Sequence, residues 1–375
     1  MAAVENNIAK PSVEPLASIF AATPADLSQL LTSWDEPKFR VKQLQDWIFK
    51  ERVYNLEQMT NLSKSLRERL ARYYDWSFPI IEDRIDSEDG TTKLLLLGEK
   101  NQVIETVIMR YENRTSLCVS SQVGCKLACR FCQTGKLGFF RNLSAAEIMT
   151  QFCLANSILR PEDRKITHVV FMGMGEPLDN FENVVAAVNL LTGKDTYMLS
   201  ARKVTVSTSG IATKITQLAE RCNASLAISL HAARDVLRSE LMPINRKYNL
   251  ESLKTSLLEY QRLTGDKITF EYILIKDKTC GRKEAKELVH FLHGLKAKIN
   301  LIPFNPHPGL DYMRPSEDEI REFQSYLTAR SFAAPVRYSR GGEVSAACGQ
   351  LAAKREDAIM AEPKRKNAIS QVDFR

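Results

Sequence analysis

Residues 124–135 read GCKLACRFCQTG, which places Cys125, Cys129 and Cys132 within eight residues, with an aromatic, Phe131, just before the last. Bridged neighbours this close make strained loops, and three thiols cannot pair off, so disulfides do not explain them. Three thiolates converging from one loop form a metal-ligand set. Two metals suit such donors. Structural zinc takes four closed ligands, usually as two separated pairs. A four-iron cluster normally takes four cysteines, so a cluster held by three leaves one iron open to a substrate or cofactor. The missing fourth cysteine favours the open cluster, with zinc as the second reading.

The elements around the loop place it. After it, LSAAEI opens a helix: Ser144 caps, Glu147 completes a capping box, and Leu143 staples to Ile148. Before it, SLCVSSQ is the first of six short apolar runs, followed by ITHVVFMGMGEP, KVTVSTSG, SLAISLHA, ITFEYILIKD and INLIPFNP. Each precedes a segment of helical period, and six strand–helix units in series imply a parallel sheet covered by helices. The runs end in polar or glycine-rich residues, as loops at the C-terminal mouth of a barrel do. The expected fold is α/β, a partial (β/α)6 barrel with a wide lateral opening; a flat doubly wound sheet is the alternative. TTKLLLLGEKNQVIETVIMRY (91–111) adds a β-hairpin extension.

Residues 24–90 read as a small helical accessory domain, with apolar Val41, Leu44, Trp47 and Ile48 at three- and four-residue intervals. It carries Lys38, Arg40, Lys42, Lys50, Arg52, Lys64, Arg67, Arg69 and Arg72, a candidate RNA-binding surface. The hairpin and barrel fill 91–353, and 1–23 and 354–375 are expected to be flexible. The chain has 375 residues, 44% hydrophobic and 26% charged, as a globular protein does. No run approaches the ~20 apolar residues of a membrane span, and the first residues do not read as a secretory signal. Eight cysteines without such a signal point to a reducing compartment, hence a cytoplasmic location. Lysine plus arginine number 52 against 45 acids, and the net charge of +7 suits a polyanionic partner.

The cysteine loop resembles the CxxxCxΦC signature of the radical S-adenosylmethionine enzymes, Φ being aromatic. FMGMGEPLDN (171–180), VSTSG (206–210), AISLHA (227–232), MPINRKYNLE (242–251), NLIPFNPHPG (300–309) and AACGQL (346–351) resemble, in order, the RlmN/Cfr family of radical-SAM RNA methyltransferases, its RlmN branch most. Two departures are Gln133, where the family has a small residue, and Gly342-Glu343, where it favours acids. The resemblance implies one [4Fe-4S] cluster on Cys125, Cys129 and Cys132, its open iron binding S-adenosylmethionine, which one electron cleaves to a 5′-deoxyadenosyl radical. It implies cofactor contacts at Gly175, Glu176, Ser207, Ser229, Leu230, His231 and Asn305. By residue type alone, Gly175 permits close approach of a ligand and Glu176 can take an amino group, whereas Ser207, Ser229 and His231 could equally be turn or core residues.

The same resemblance makes Cys348 the residue methylated by one S-adenosylmethionine while a second supplies the radical, two per turnover. Such a route suits the substrate: an amidine carbon of adenine is electron-poor and cannot attack an electrophilic methyl, but a carbon radical can add to it. Cys118 matches the resolving cysteine, which forms a transient disulfide with Cys348. Glu105 matches a glutamate that takes a proton. Cys153, Cys222 and Cys280 are read as structural. The implied reaction is methylation of adenosine carbon 2 in 23S rRNA, with tRNA as a second substrate and flavodoxin as electron donor. The alternatives are Cfr-like carbon-8 methylation, a non-catalytic iron–sulfur RNA-binding protein, which would need no Cys118–Cys348 pair, and a zinc-stabilised RNA-binding module.

Overall fold

The computed structural model describes residues 16–98, 102–306 and 310–338. Two compact units divide the chain between Ser77 and Phe78. In the first, β1 (Ala17–Ser18) precedes α1 (Pro24–Ser33), α2 (Lys38–Gln45) and α3 (Lys64–Tyr73), and β2 (Tyr74–Asp75) returns to pair with β1 in parallel. Thr23 and Asp26 cap α1 reciprocally, and Pro24 sits in its first turn, where an N–H has no intrahelical partner. Leu27, Leu31, Leu44, Ile48, Leu66 and Leu70 are buried, the periodic apolar residues closing on one another. Acids partner part of the basic surface: Lys42 meets Asp46 at 3.0 Å and Arg67 meets Glu57 at 3.2 Å. Arg69 lies over the Trp34 ring, 4.3 Å from its centre.

The second unit opens with an antiparallel meander, β3 (Ile80–Asp86), β4 (Thr91–Leu97) and β5 (Val103–Arg110). The pair β4–β5 is the hairpin the sequence shows. β3 falls inside the span read as helical; its sequence IIEDRID lies mostly exposed at the sheet edge, so no apolar run reveals it. β6 (Thr115–Cys118) follows, then β7 (Gln122–Gly124), α4 (Gln133–Lys136) and β8 (Phe139–Asn142) around the cysteine loop. The barrel continues as α5 (Ala145–Leu159), β9 (His168–Phe171), α6 (Phe181–Thr192), β10 (Val204–Thr208), α7 (Ala212–Arg221) and β11 (Ser225–Ser229). Next come α8 (Asp235–Leu241), α9 (Leu250–Thr264), β12 (Ile268–Leu274), α10 (Arg282–Leu292), β13 (Ala297–Pro303) and α11 (Glu317–Thr328).

The nine-stranded sheet runs β13-β12-β11-β10-β9-β6-β5-β4-β3. Its six parallel strands stand side by side in chain order, with no reversal of the kind a doubly wound sheet requires. This is the open barrel, and the flat alternative falls. The meander extends the wall past β6, antiparallel to it. Register fixes what each face carries. Cys118 pairs with Val170, Val170 with Thr205 and Thr205 with Ser225; Ser229 pairs with Glu271, and Glu271 with Asn300. Paired residues share a face, so serines, a glutamate, an asparagine and a thiol line one side. The alternate positions Leu117, Val169, Val206, Leu226, Ile228, Phe270 and Leu301 are fully buried in the opposite layer.

Two glycines hold the ends of the cysteine loop in conformations that L side chains avoid, Gly124 at φ +72° and Gly138 at φ +77°. A Cβ on Gly124 would overlap the Gly138 carbonyl, whereas one on Gly138 would meet open space. Gly138→Ala should therefore cost about 1–2 kcal/mol for the left-handed backbone alone, and Gly124→Ala clearly more. Urea unfolding of the two variants checks this; equal losses would contradict the close approach at Gly124.

Candidate active site

The cysteine loop leaves the barrel after β6 and returns through the β7–β8 pair. The Cys125 N–H donates to the Gly138 carbonyl at 2.7 Å, and the Arg130 N–H donates to the Leu241 carbonyl at the end of α8 at 2.9 Å. Leu127 is buried with Leu237, Leu241, Met242 and Phe304, and Cys125, Cys129 and Phe131 pack on this cluster. The edge of the Phe131 ring meets the His231 ring, centres 4.7 Å apart. The aromatic of the motif thereby seats the loop on the end of β11. Burial pushes the Cys125 thiol up to about 12, with the Glu176 and Cys132 charges adding to the effect. Cys129 rises further, through burial and then its two neighbouring cysteines, and Cys132 rises through burial. Bare thiolates are therefore disfavoured here, and a bound cation would reverse that.

The loop after β9 crosses directly over β7. Gly175 has φ +102°, and a Cβ there would lie 2.6 Å from the Gln122 side chain, so packing against Gln122, rather than a ligand, already requires glycine. The Glu176 N–H donates to Gln122 Oε1 at 2.9 Å, and Gln122 Nε2 donates to Asn142 and Asp179, each at 2.9 Å. Glu176 itself is buried. Its Oε1 accepts from the Leu178 N–H at 3.0 Å and its Oε2 from the Ser209 N–H at 2.8 Å. Burial raises its pKa, partly offset by these donors. The carboxylate thus clamps the ends of β9 and β10, and the side chains of Thr208 and Ser209 donate to it as well.

His231 stands at φ +58°, buried, and its Nδ1 accepts from the Ile273 N–H at 3.1 Å. Burial, with Arg238 nearby, lowers its pKa to about 3. The imidazole is neutral and its proton is on Nε2. Leu230 is buried, and its N–H donates to the Glu271 carbonyl at 3.1 Å. Ser207 and Ser229 lie on the inner face of β10 and β11, and Glu271, in the row of Ser229, accepts from Asn300 at 2.8 Å. Asn305 follows β13 at the same end of the sheet. On the other side of β9, Cys118 is buried against Val107 and Met174. Glu105, two residues before Val107 and on the same face, is fully buried 3.6 Å from the ammonium of Lys93. Cys348 lies outside the described residues. Among the described residues no disulfide joins two of the seven other cysteines, and no group of three His, Cys, Asp or Glu is gathered to hold a single metal ion.

Residues 18–74 match the ribosomal RNA large subunit methyltransferase N-terminal domain, and residues 119–292 match the radical SAM superfamily. A crystal structure of a radical SAM methyltransferase from Sphaerobacter thermophilus superposes with a TM-score of 0.85 at 40% identity, covering 89% of this chain and 99% of that one. A dual-specificity RNA methyltransferase RlmN from Francisella tularensis is 45% identical over 87% of this chain and 90% of its own. One from Marinobacter nauticus is 43% identical over 93% and 96%. The chain belongs to the RlmN family of radical SAM RNA methyltransferases.

Within the RlmN frame, the radical SAM match encloses the cysteine loop and every inner-face residue from Gly175 to His231, while Cys118 immediately precedes it. The radical SAM family implies a four-iron cluster and S-adenosylmethionine, and the residues present fit them: three half-buried soft donors on one pinned loop, thiolates that need a cation, and polar strand ends beside them. Sequence reasoning missed the residues that hold these parts. Ser120 donates to the Glu105 carbonyl at 2.6 Å and accepts from the Met174 N–H at 2.9 Å, and Asn180 donates to Ser121 and Leu143 carbonyls. Arg238, with no exposure, was missed as well. Only long-range packing marks these polar residues; local pattern does not. Among the described residues no helix is long and apolar enough to cross a membrane.

The buried neutral histidine fixes a pH dependence. Its folded pKa lies below the unfolded value of about 6.5, so the unfolded chain binds the extra proton in acid. Stability from this group is complete above pH 6.5 and lost as pH falls toward 3. Wild type should lose about 1.4 kcal/mol per pH unit relative to His231→Gln over that window. Parallel acid-side unfolding curves for the two proteins would disprove a neutral buried imidazole.

Proposed function

We propose that this RlmN-family enzyme methylates carbon 2 of an adenosine in 23S rRNA, and an adenosine in tRNA, through a methyl group first carried on Cys348. The observation that carries the reading is the placement of two kinds of thiol on one open barrel: three together on the loop at the strand ends, and Cys118 on the inner face against Val107 and Met174. When bound, the four-iron cluster and S-adenosylmethionine, two per turnover, supply the methyl group and the one-electron chemistry. Cys125, Cys129 and Cys132 hold the cluster. Glu176 and the glycine-bearing loop around Gly175 present an acceptor for an amino group. Ser207, Ser229, Leu230, His231 and Asn305, at or near the ends of their strands, would contact the cofactor, with neutral His231 offering Nε2–H as a donor.

Cys118 and Glu105 take the second half of the reaction. The radical adduct on the base gives up one electron to the external redox partner and its carbon-2 proton; the Cys118 thiolate then attacks the Cys348 sulfur, and the electron pair of the breaking sulfur–carbon bond goes to the methylene carbon, which takes a proton to become the methyl group. Glu105 receives the proton that leaves carbon 2, and an external dithiol resets the disulfide. The low-potential electron comes from a flavodoxin-type donor, and a cytoplasmic location is part of this reading because substrate RNA, reductant and free thiols meet there. The names of the relatives, dual-specificity RNA methyltransferases, support RNA of two kinds as substrates.

Incubating the reconstituted enzyme with S-adenosylmethionine, a reductant and unmodified ribosomal RNA, then chromatographing the nucleosides, should give 2-methyladenosine. The 8-methyl isomer would replace this reading with a Cfr-like one. Cys125→Ala, Cys129→Ala or Cys132→Ala should each abolish iron binding, since a three-thiolate site has no spare ligand. Cys118→Ala should accumulate protein covalently joined to RNA and Cys348→Ala should not; full turnover by Cys348→Ala would overturn the route.

A further inference from the structure

Arg238, on α8, is fully buried, and its four hydrogen bonds all end on neutral oxygens. Nε donates to the Leu230 carbonyl at 3.1 Å, Nη1 to Asn245 Oδ1 at 2.8 Å, and Nη2 to the carbonyls of Ser209 at 2.7 Å and Ser229 at 3.2 Å. No carboxylate pairs with it among the described residues. A guanidinium taken out of water without a counter-charge is costly, even when hydrogen bonded. The ionisable groups whose negative charge would reach it are Cys129, once a bound cation makes it a thiolate, and the exposed Asp235.

The surrounding geometry holds this cation close to the cysteine loop. Leu237 and Leu241 of α8 share a buried cluster with Leu127, on which Cys125 and Cys129 pack, and the Arg130 N–H is bonded to the Leu241 carbonyl. Hydrogen bonds to the ends of β10 and β11 restrain the guanidinium in turn, and Gly210, where a Cβ would lie 3.3 Å from Nη2, leaves room for it. The molecule therefore keeps one fixed positive charge near the cysteine loop, and the one carboxylate in its hydrogen-bond network, Asp235, is reached only through Asn245, which donates to it at 2.8 Å.

We propose that Arg238 is a positioning residue whose fixed charge serves as counter-charge to the iron–sulfur cluster on the adjacent thiolates and raises the cluster's reduction potential. The inference rests on the reading that Cys125, Cys129 and Cys132 hold a four-iron cluster. On reduction the cluster takes one electron from an external donor protein and gains one negative charge. A fixed cation in a dry site stabilises the reduced form more than the oxidised one. Without it the electron is harder to place, while the thiolate ligands themselves are unchanged.

The test uses the full chain, reconstituted anaerobically as wild type, Arg238→Gln and Arg238→Lys. Iron and sulfide content, thermal unfolding of the apo-proteins and the cluster's midpoint potential are measured on each. Arg238→Gln should shift the potential negative by at least about 59 mV, a tenfold loss in the one-electron equilibrium constant, and Arg238→Lys should stay near wild type because it keeps the charge. A merely structural arginine would lower the unfolding temperature of both variants and leave the potential of any intact cluster in place, and that outcome overturns the proposal. Should Arg238→Gln not fold, the neutral, stem-conserving Arg238→Met takes its place: a potential shifted negative relative to Arg238→Lys supports the fixed charge, and equal potentials in the two variants refute it. A wild type that binds no four-iron cluster would instead overturn the reading of the cysteine loop.

Discussion

A cation without access to water governs the mouth of this barrel. The Arg238 guanidinium must satisfy its donors inside the protein, and the only acceptors in reach among the described residues are carbonyls at the ends of neighbouring strands and one asparagine. Meeting that demand draws the ends of β10 and β11 and the segment around Asn245 to a common point. The same helix end receives the backbone of the cysteine loop through Leu241. Desolvation of one charge thus fixes the relative positions of several loops that no regular ladder connects. A hydrophobic residue at 238 could fill the volume, but it could not orient three carbonyls.

Buried acids repeat the pattern with opposite sign. Glu176 uses two backbone N–H groups to join the loop after β9 to the end of β10, and Glu271 accepts from Asn300 across two strands. Glu176 sits where a strand ends and Glu271 in the middle of β12, so the inner row of the barrel is held by polar bonds while the outer row is held by apolar packing. Hydrogen bonds need particular angles and distances, whereas methyl contacts tolerate small shifts. The inner side of the sheet is therefore the side with the sharper geometry, a useful division for an enzyme that must hold reacting atoms within bonding reach.

What the sequence disclosed follows from the same division. The outer layer repeats apolar runs between helical segments, and the six strands with their helices can be read from that rhythm. The cysteine spacing is local and equally plain. β3 stays hidden because an exposed edge strand needs no apolar face, and β7 and β8 because they are only three and four residues long and pair across the whole cysteine loop. Arg238 reads on paper as one more basic residue in RSELMPINRK, since nothing in the local pattern tells a buried guanidinium from a solvated one. Gly175 shows a related ambiguity. Its type suggested room for a ligand, and the structure shows a Gln122 side chain already occupying that approach.

The meander follows from what the parallel barrel alone would lack. A strand–helix repeat ends its wall at β6, leaving Cys118 at a sheet edge. Adding β5 antiparallel to β6 covers that edge and brings Val107 opposite Cys118, with Glu105 one inward position further along. The carboxylate is fully buried there, and the ammonium of Lys93 on the next strand, 3.6 Å away, supplies an opposite charge that helps to offset its desolvation. Three antiparallel strands thus give the inner face a resident acid–base pair next to a shielded thiol, which six βα units of alternating apolar run and helix do not provide.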